Sequence, residues 1–173
     1  MIKHFTEFAP SWLHNKAKEQ LLSPYIDWHF PGNGGYYGDI DKACFAKLMF
    51  DIERNHSDWS LVESLPYVLD QWIDANKSWF NFRGLNRCIL NFYTPGMTIG
   101  WHNDHSKHDH YTLIYYVNDS DGGTEFKDCQ VMHKENTGIL LRSRDDHKNI
   151  ESTVPRRISV AWIIVGDIID ENI

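Results

Sequence analysis

His102 and Asp104 stand two positions apart near the end of the stretch Asn91 to Asp104, NFYTPGMTIGWHND. In an extended chain successive side chains point to opposite faces, so these two share a face, with Trp101 and Asn103 on the other. A neutral imidazole and a carboxylate so placed supply two ligands of a 2-His-1-carboxylate facial triad, a donor set that holds ferrous iron and leaves adjacent positions open for reactants. The third ligand must come from further along. His147 is the best placed, between two apolar runs that read as buried strands, Thr137 to Ser143 and Arg157 to Val165. Ten positions beyond it comes Arg157, whose guanidinium suits the far carboxylate of a dicarboxylic acid that chelates the iron at its other end.

Other residues compete for these roles. His105, His108 and His110 crowd the same stretch and could bind zinc without oxygen chemistry, although a loop of exposed histidines is the more ordinary reading. His133 is a rival to His147, but it sits in the polar turn HKEN, where an exposed turn residue is expected. Arg156 and Arg157 are adjacent, so on a strand only one of them enters a pocket.

The order HxD, a distal His and then Arg in an R-x-S strand (Arg157, Ser159) resembles the Fe(II)/2-oxoglutarate-dependent dioxygenase superfamily. Asn91-Phe92-Tyr93-Thr94-Pro95-Gly96 is similar to the lead-in of the AlkB-type branch. Thr112 to Asn118 with Gly122-Gly123-Thr124-Glu125-Phe126 resembles the T-x-x-x-Y-L-N and GG-x-x-F segments of the prolyl-4-hydroxylase branch. The match runs from about Asn91 to Val165. An aromatic residue six positions after the family's basic residue would pair Trp162 with Arg156 instead, so both arginines stay in view, with Arg157 favoured.

The resemblance implies a double-stranded β-helix, or jelly roll, with His102, Asp104 and His147 on Fe(II). It also implies 2-oxoglutarate held by Arg157, Tyr93 and Tyr116, and O2 as the co-reactant. The activity implied is hydroxylation of a C–H bond, with succinate and CO2 as co-products, on a prolyl or other peptide or protein side chain. An AlkB-type nucleic-acid demethylase, a small-molecule hydroxylase and a non-catalytic cupin-like metal-binding module are the alternatives. No residue beyond the metal ligands is required for the oxidising step.

The elements that must position these residues change character along the chain. Ile2 to Ala9 reads as an edge strand, and Ser11 as the cap of a helix to about Leu22. Ile40 to Asn55 has its apolar residues close to helical spacing, and a second helical stretch follows Pro66. Tyr25 to Asp39, rich in aromatics around Pro-Gly-Asn-Gly-Gly, is either a substrate lid or a plain connecting loop. After Gly84 come short β-rich runs: Arg87 to Thr94, Thr98 to Asn103, Tyr111 to Asn118, Thr124 to Lys127, Thr137 to Ser143 and Arg157 to Val165. The expected architecture is mainly β with flanking helices, a single domain over 1–173. Residues 1–85 are mainly helical support and 86–166 the jelly-roll core.

Composition narrows the partners. A formal charge of -7 over 173 residues disfavours nucleic acid and anionic membranes, whose phosphates call for clustered Lys and Arg. Three cysteines without CxxC spacing, Cys44, Cys88 and Cys129, argue for a reducing compartment. With no spanning apolar run and no signal-like start, the expectation is a soluble, cytoplasmic protein acting on a peptide, protein or small molecule.

Overall fold

The computed structural model describes residues 2–29 and 44–169. In chain order the elements are β1 (Ile2–Phe5), α1 (Ser11–Leu21), β2 (Phe45–Asp51), β3 (His56–Ser57), α2 (Leu65–Asn76), β4 (Phe80–Tyr93), β5 (His110–Tyr116), β6 (Gly123–Glu125), β7 (Gln130–Met132), β8 (Thr137–Arg142), β9 (Lys148–Ile150) and β10 (Arg157–Ile168). They form a seven-stranded sheet, ordered β1-β8-β5-β10-β4-β2-β3, and a three-stranded sheet, ordered β7-β6-β9. All pairings are antiparallel. This is a jelly roll with helices on one outer face, as the resemblance implies.

The period of two along the central strands assigns their residues to two environments. Leu113 and Tyr115 of β5, Cys88 and Leu90 of β4, and Val160, Trp162 and Ile164 of β10 join the helices in the main core, where they meet Leu13, Ala17 and Leu21 of α1 and Val68, Leu69 and Trp72 of α2. The alternate residues line a cavity on the other face: Ile114 and Tyr116 of β5, Arg87, Ile89, Asn91 and Tyr93 of β4, and Arg157, Ser159, Ala161 and Ile163 of β10. The helices thus seal one face of the sheet, and the chemistry is left to the other.

Several expectations are corrected. The stretch 45–51 within Ile40 to Asn55 is the strand β2 and not a helix. Its apolar residues fall on both faces, and a register shift between Leu48 and Phe50 against β4 breaks the alternation, so the spacing imitates a helix. Thr98 to Asn103 forms no regular strand: only His102 pairs, in an isolated bridge with His147. Ser11 begins α1 without capping it, Pro10 occupying the cap position with no side-chain bond. β7 and β9, of three residues each, carry too short a pattern to read. Of the proposed lid at 25–39, residues 30–39 lie outside the described residues, and Tyr25 is exposed.

Candidate active site

The bridge between residues 102 and 147 is what makes ligands from distant parts of the chain converge. His102 N–H donates to the His147 carbonyl and His147 N–H to the His102 carbonyl, both at 2.9 Å. Asp104 N–H donates to the Ser143 carbonyl at 2.8 Å, which fixes the loop two residues on. The side chains of Asn149 and Ile99's backbone N–H close the other side, tying the lead-in loop to β9.

One ligand atom each from His102, Asp104 and His147 lies within 4.8 Å of the others, the one such group among the described residues. His102 Nε2 is 3.6 Å from Asp104 Oδ1, and His147 Nε2 is 3.5 Å from Asp104 Oδ2. Donors about 2.1 Å from a metal and at right angles to one another stand about 3 Å apart, so this spacing fits a first-row divalent ion. The outer contacts set the tautomers. His102 Nδ1 donates to the Gly100 carbonyl at 2.8 Å and His147 Nδ1 to the Asp145 carbonyl at 3.1 Å. A carbonyl only accepts, so the proton sits on Nδ1 and each Nε2 turns its lone pair toward Asp104. Burial pulls the His147 pKa down against the attraction of Asp104, which favours the neutral form that ligates. Burial pushes the Asp104 carboxyl up, but the positive charge that His147 and His102 carry when protonated, with the Thr112 hydroxyl, which donates at 2.7 Å, pulls it well below the usual range.

At another end of the same cavity, of about 370 Å³, lies Arg157. It is 2% exposed, yet among the described residues it has no carboxylate within 4 Å. Its Nη1 donates to the Ile150 carbonyl at 2.6 Å, its Nη2 to the Gly123 carbonyl at 2.9 Å and its Nε to His133 Nδ1 at 3.2 Å, while Tyr93 lies flat against it, 4.5 Å from ring centroid to guanidinium carbon. Three of five N–H donors are used, and every partner is neutral. A buried cation without an anion is costly, so this arrangement is built for an anionic ligand. The glycine pair makes room for it: a Cβ on Gly122 would stand 2.8 Å from Arg157 Nη1 and 2.7 Å from the Ile150 carbonyl.

Arg156 lies outside the cavity, exposed, with Nη1 3.4 Å from the Leu22 carbonyl. Tyr93 and Tyr116 both line the cavity; the Tyr116 hydroxyl bonds Thr124 Oγ1 at 2.7 Å, and burial pushes its pKa up to about 12 against the pull of Thr124 and Arg157. His133 is a correction. It is 1% exposed and no turn-surface residue, because β7 leads it beneath the Arg157 guanidinium, where its ring packs 4.4 Å from Tyr116. A guanidinium only donates, so His133 carries its proton on Nε2 and turns its Nδ1 lone pair to Arg157, away from a metal role. The histidine loop is corrected too: His110 is buried, its ring stacked 3.9 Å from that of His105, and only His108 is exposed.

Sequence reasoning missed Thr112 and Thr124, and it offered His133 only as a rival metal ligand, not as a support for Arg157. For the two threonines a signal existed: Thr112 shares parity with Tyr116, and Thr124 lies within the glycine-led segment. For His133 there was none, since its burial depends on the pairing of β6 with β7.

No family model matches the sequence, and no curated protein matches it. Solved structures do. A prolyl hydroxylase from Trichoplax adhaerens, in complex with a hypoxia inducible factor oxygen degradation domain peptide fragment, superposes with a TM-score of 0.68 at 14% identity, covering 95% of this chain and 83% of that one. The fold is that of the prolyl hydroxylases. A Pseudomonas putida prolyl-4-hydroxylase gives a TM-score of 0.65 at 13% identity over 95% and 91% of the two chains. A 2OG-Fe(II) oxygenase family oxidoreductase from Burkholderia pseudomallei gives 0.68 at 12% over 95% and 84%. Among the described residues no helix is long and apolar enough to cross a membrane.

Proposed function

We propose that the protein is an Fe(II)- and 2-oxoglutarate-dependent dioxygenase that hydroxylates a C–H bond on a prolyl or other peptide side chain. The observation that carries the reading is one cavity with two anchors: a His-Asp-His donor group with both imidazole lone pairs turned inward, and a buried guanidinium held only by neutral partners. His102, Asp104 and His147 would hold Fe(II). The bound iron and cosubstrate supply the oxidising power: one oxygen atom of O2 goes into the substrate C–H bond and the other into succinate, with loss of CO2.

The chain's own residues bind, orient and exclude water. Arg157 would pair with the distal carboxylate of 2-oxoglutarate, with Tyr93 and Tyr116 beside it, as the anchor that positions the cosubstrate in the cavity shared with the metal ligands. Thr112 donates to Asp104 and holds its carboxylate in line. Ile89, Ile114, Ala161 and Ile163 give the reaction chamber apolar walls. A peptide substrate is supported by the likeness to the Trichoplax enzyme and by the exposed Trp101 at the cavity edge, over which Lys148 lies at 5.1 Å. Protein loaded anaerobically with Fe(II) and 2-oxoglutarate, then given O2, is expected to release succinate slowly without substrate. Failure of the folded protein to bind either metal or 2-oxoglutarate would overturn the reading.

A further inference from the structure

We propose that Arg87 selects substrates that carry a carboxylate beside the carbon to be oxidised. The inference rests on the dioxygenase reading and extends it to the substrate.

Arg87 lines the same cavity as the metal ligands but is remote from Arg157. On β4 it shares a face with Ile89, Asn91 and Tyr93, and Tyr93 is the residue opposite Arg157. The cosubstrate anchor is therefore six positions away along the strand, about 20 Å of extended backbone. Ile163 of β10 lies opposite Arg87 on one side and opposite Thr112 on the other. Thr112 holds Asp104, so Arg87 is level with the metal ligands and two strands away, about 10 Å. A group bound by Arg87 would therefore be level with the metal ligands and away from the Arg157 end of the cavity.

The guanidinium is presented and not consumed. Its Nε donates to Asp51 Oδ2 at 3.2 Å. Among the described residues its two terminal nitrogens make no hydrogen bond. Asp51, 1% exposed, is fully engaged in return: Oδ1 accepts the backbone N–H groups of Glu53 and Arg54, and Oδ2 also lies 3.7 Å from Arg54 Nε. One buried carboxylate thus serves two guanidiniums and engages Arg87 at Nε alone, which leaves the terminal fork of this cavity-lining residue without a hydrogen bond among the described residues. That fork matches a carboxylate in two parallel charge-assisted bonds, which a carboxamide cannot reproduce. The other cation at the cavity edge, Lys148, is already paired with Glu125 at 3.2 Å.

The test compares twin substrates by succinate release above the substrate-free rate. One series is acetylated, amidated peptides in which proline is flanked by Asp or Asn, or by Glu or Gln. The other is free L-proline and L-leucine against their amides. The acidic twin in at least one series is expected to exceed its amide by about tenfold or more, and the responding series tells a peptide carboxylate from a free acid. Arg87→Gln is expected to shrink that ratio to within about twofold, and Arg87→Lys, which keeps the charge without the fork, to leave an intermediate value. If no acidic twin stimulates, if the amides serve equally, or if Arg87→Gln leaves the ratio intact, the proposal falls. Substrate-free succinate release by the unaltered protein would show in each case that the dioxygenase reading survives it.

Discussion

Arg157 Nε donates to His133 Nδ1 at 3.2 Å, so the guanidinium of the cavity is seated on a histidine that the sequence offers as a rival metal ligand. Burial and the Arg157 charge hold the His133 pKa well below the usual imidazole range, so the support stays neutral as the arrangement requires.

Replacing Arg157 by methionine is expected to weaken 2-oxoglutarate binding by about two orders of magnitude, since losing one partner of a buried charge pair costs about 2–5 kcal/mol. Metal affinity should persist. Arg156→Met, on the exposed neighbour, should bind 2-oxoglutarate normally. Calorimetric titration of the two variants in the presence of Mn(II) checks this, and the reverse result would transfer the role to Arg156.

Metal binding should depend on all three donors. With Mn(II) at a hundred times its Kd the protein is expected to gain about 2.7 kcal/mol, a rise in Tm of about 5–10 °C. Alanine at His102, Asp104 or His147 should remove that rise in a thermal-shift measurement. A full rise in any of the three variants would take that residue out of the metal site.

Gly122→Ala tests the close approach around the guanidinium. The added methyl meets both Arg157 Nη1 and the Ile150 carbonyl within 3 Å, so we expect a stability loss of about 1–3 kcal/mol by denaturant titration and weaker 2-oxoglutarate binding with metal affinity retained. Unchanged cosubstrate affinity would mean that the guanidinium is free to shift.

The cysteines give a test of burial that needs no activity. Burial raises the Cys44 thiol to about 12 and Cys88 well above its ordinary value, whereas Cys129 is exposed. Iodoacetamide at pH 8 should add one group per chain, at Cys129, by mass spectrometry. Rapid labelling of Cys44, whose thiol donates to Asn91 at 3.6 Å beside the cavity, would contradict the packing of β2 on β4.

Periodicity puts His102 and Asp104 on one face and only one of the two arginines in a pocket, whereas His147 and the preference for Arg157 come from the resemblance and its spacing. Arg157 shares parity with Ser159, Ala161 and Ile163, and that parity faces the cavity. The route to His102 and Asp104 differed from the expectation: they converge through a two-residue bridge and the Ser143 carbonyl, with no continuous strand around them. β2 eluded the reading because a bulge next to Met49 and apolar residues on both faces erase the alternation. His133 and Arg87 were hidden for another reason. Each owes its role to partners more than twenty positions away, Arg157 for one and Asp51 for the other, and no local pattern encodes such a meeting.

The pairing of residue 102 with residue 147 is made by their own peptide groups. Their spacing is accordingly set by the backbone, and a cage of fixed size does little to choose among ions of similar radius. Cobalt, nickel or copper, which bind nitrogen and oxygen donors more tightly than ferrous iron, would occupy it and stop turnover. Which ion the protein carries would then be decided by the supply around it.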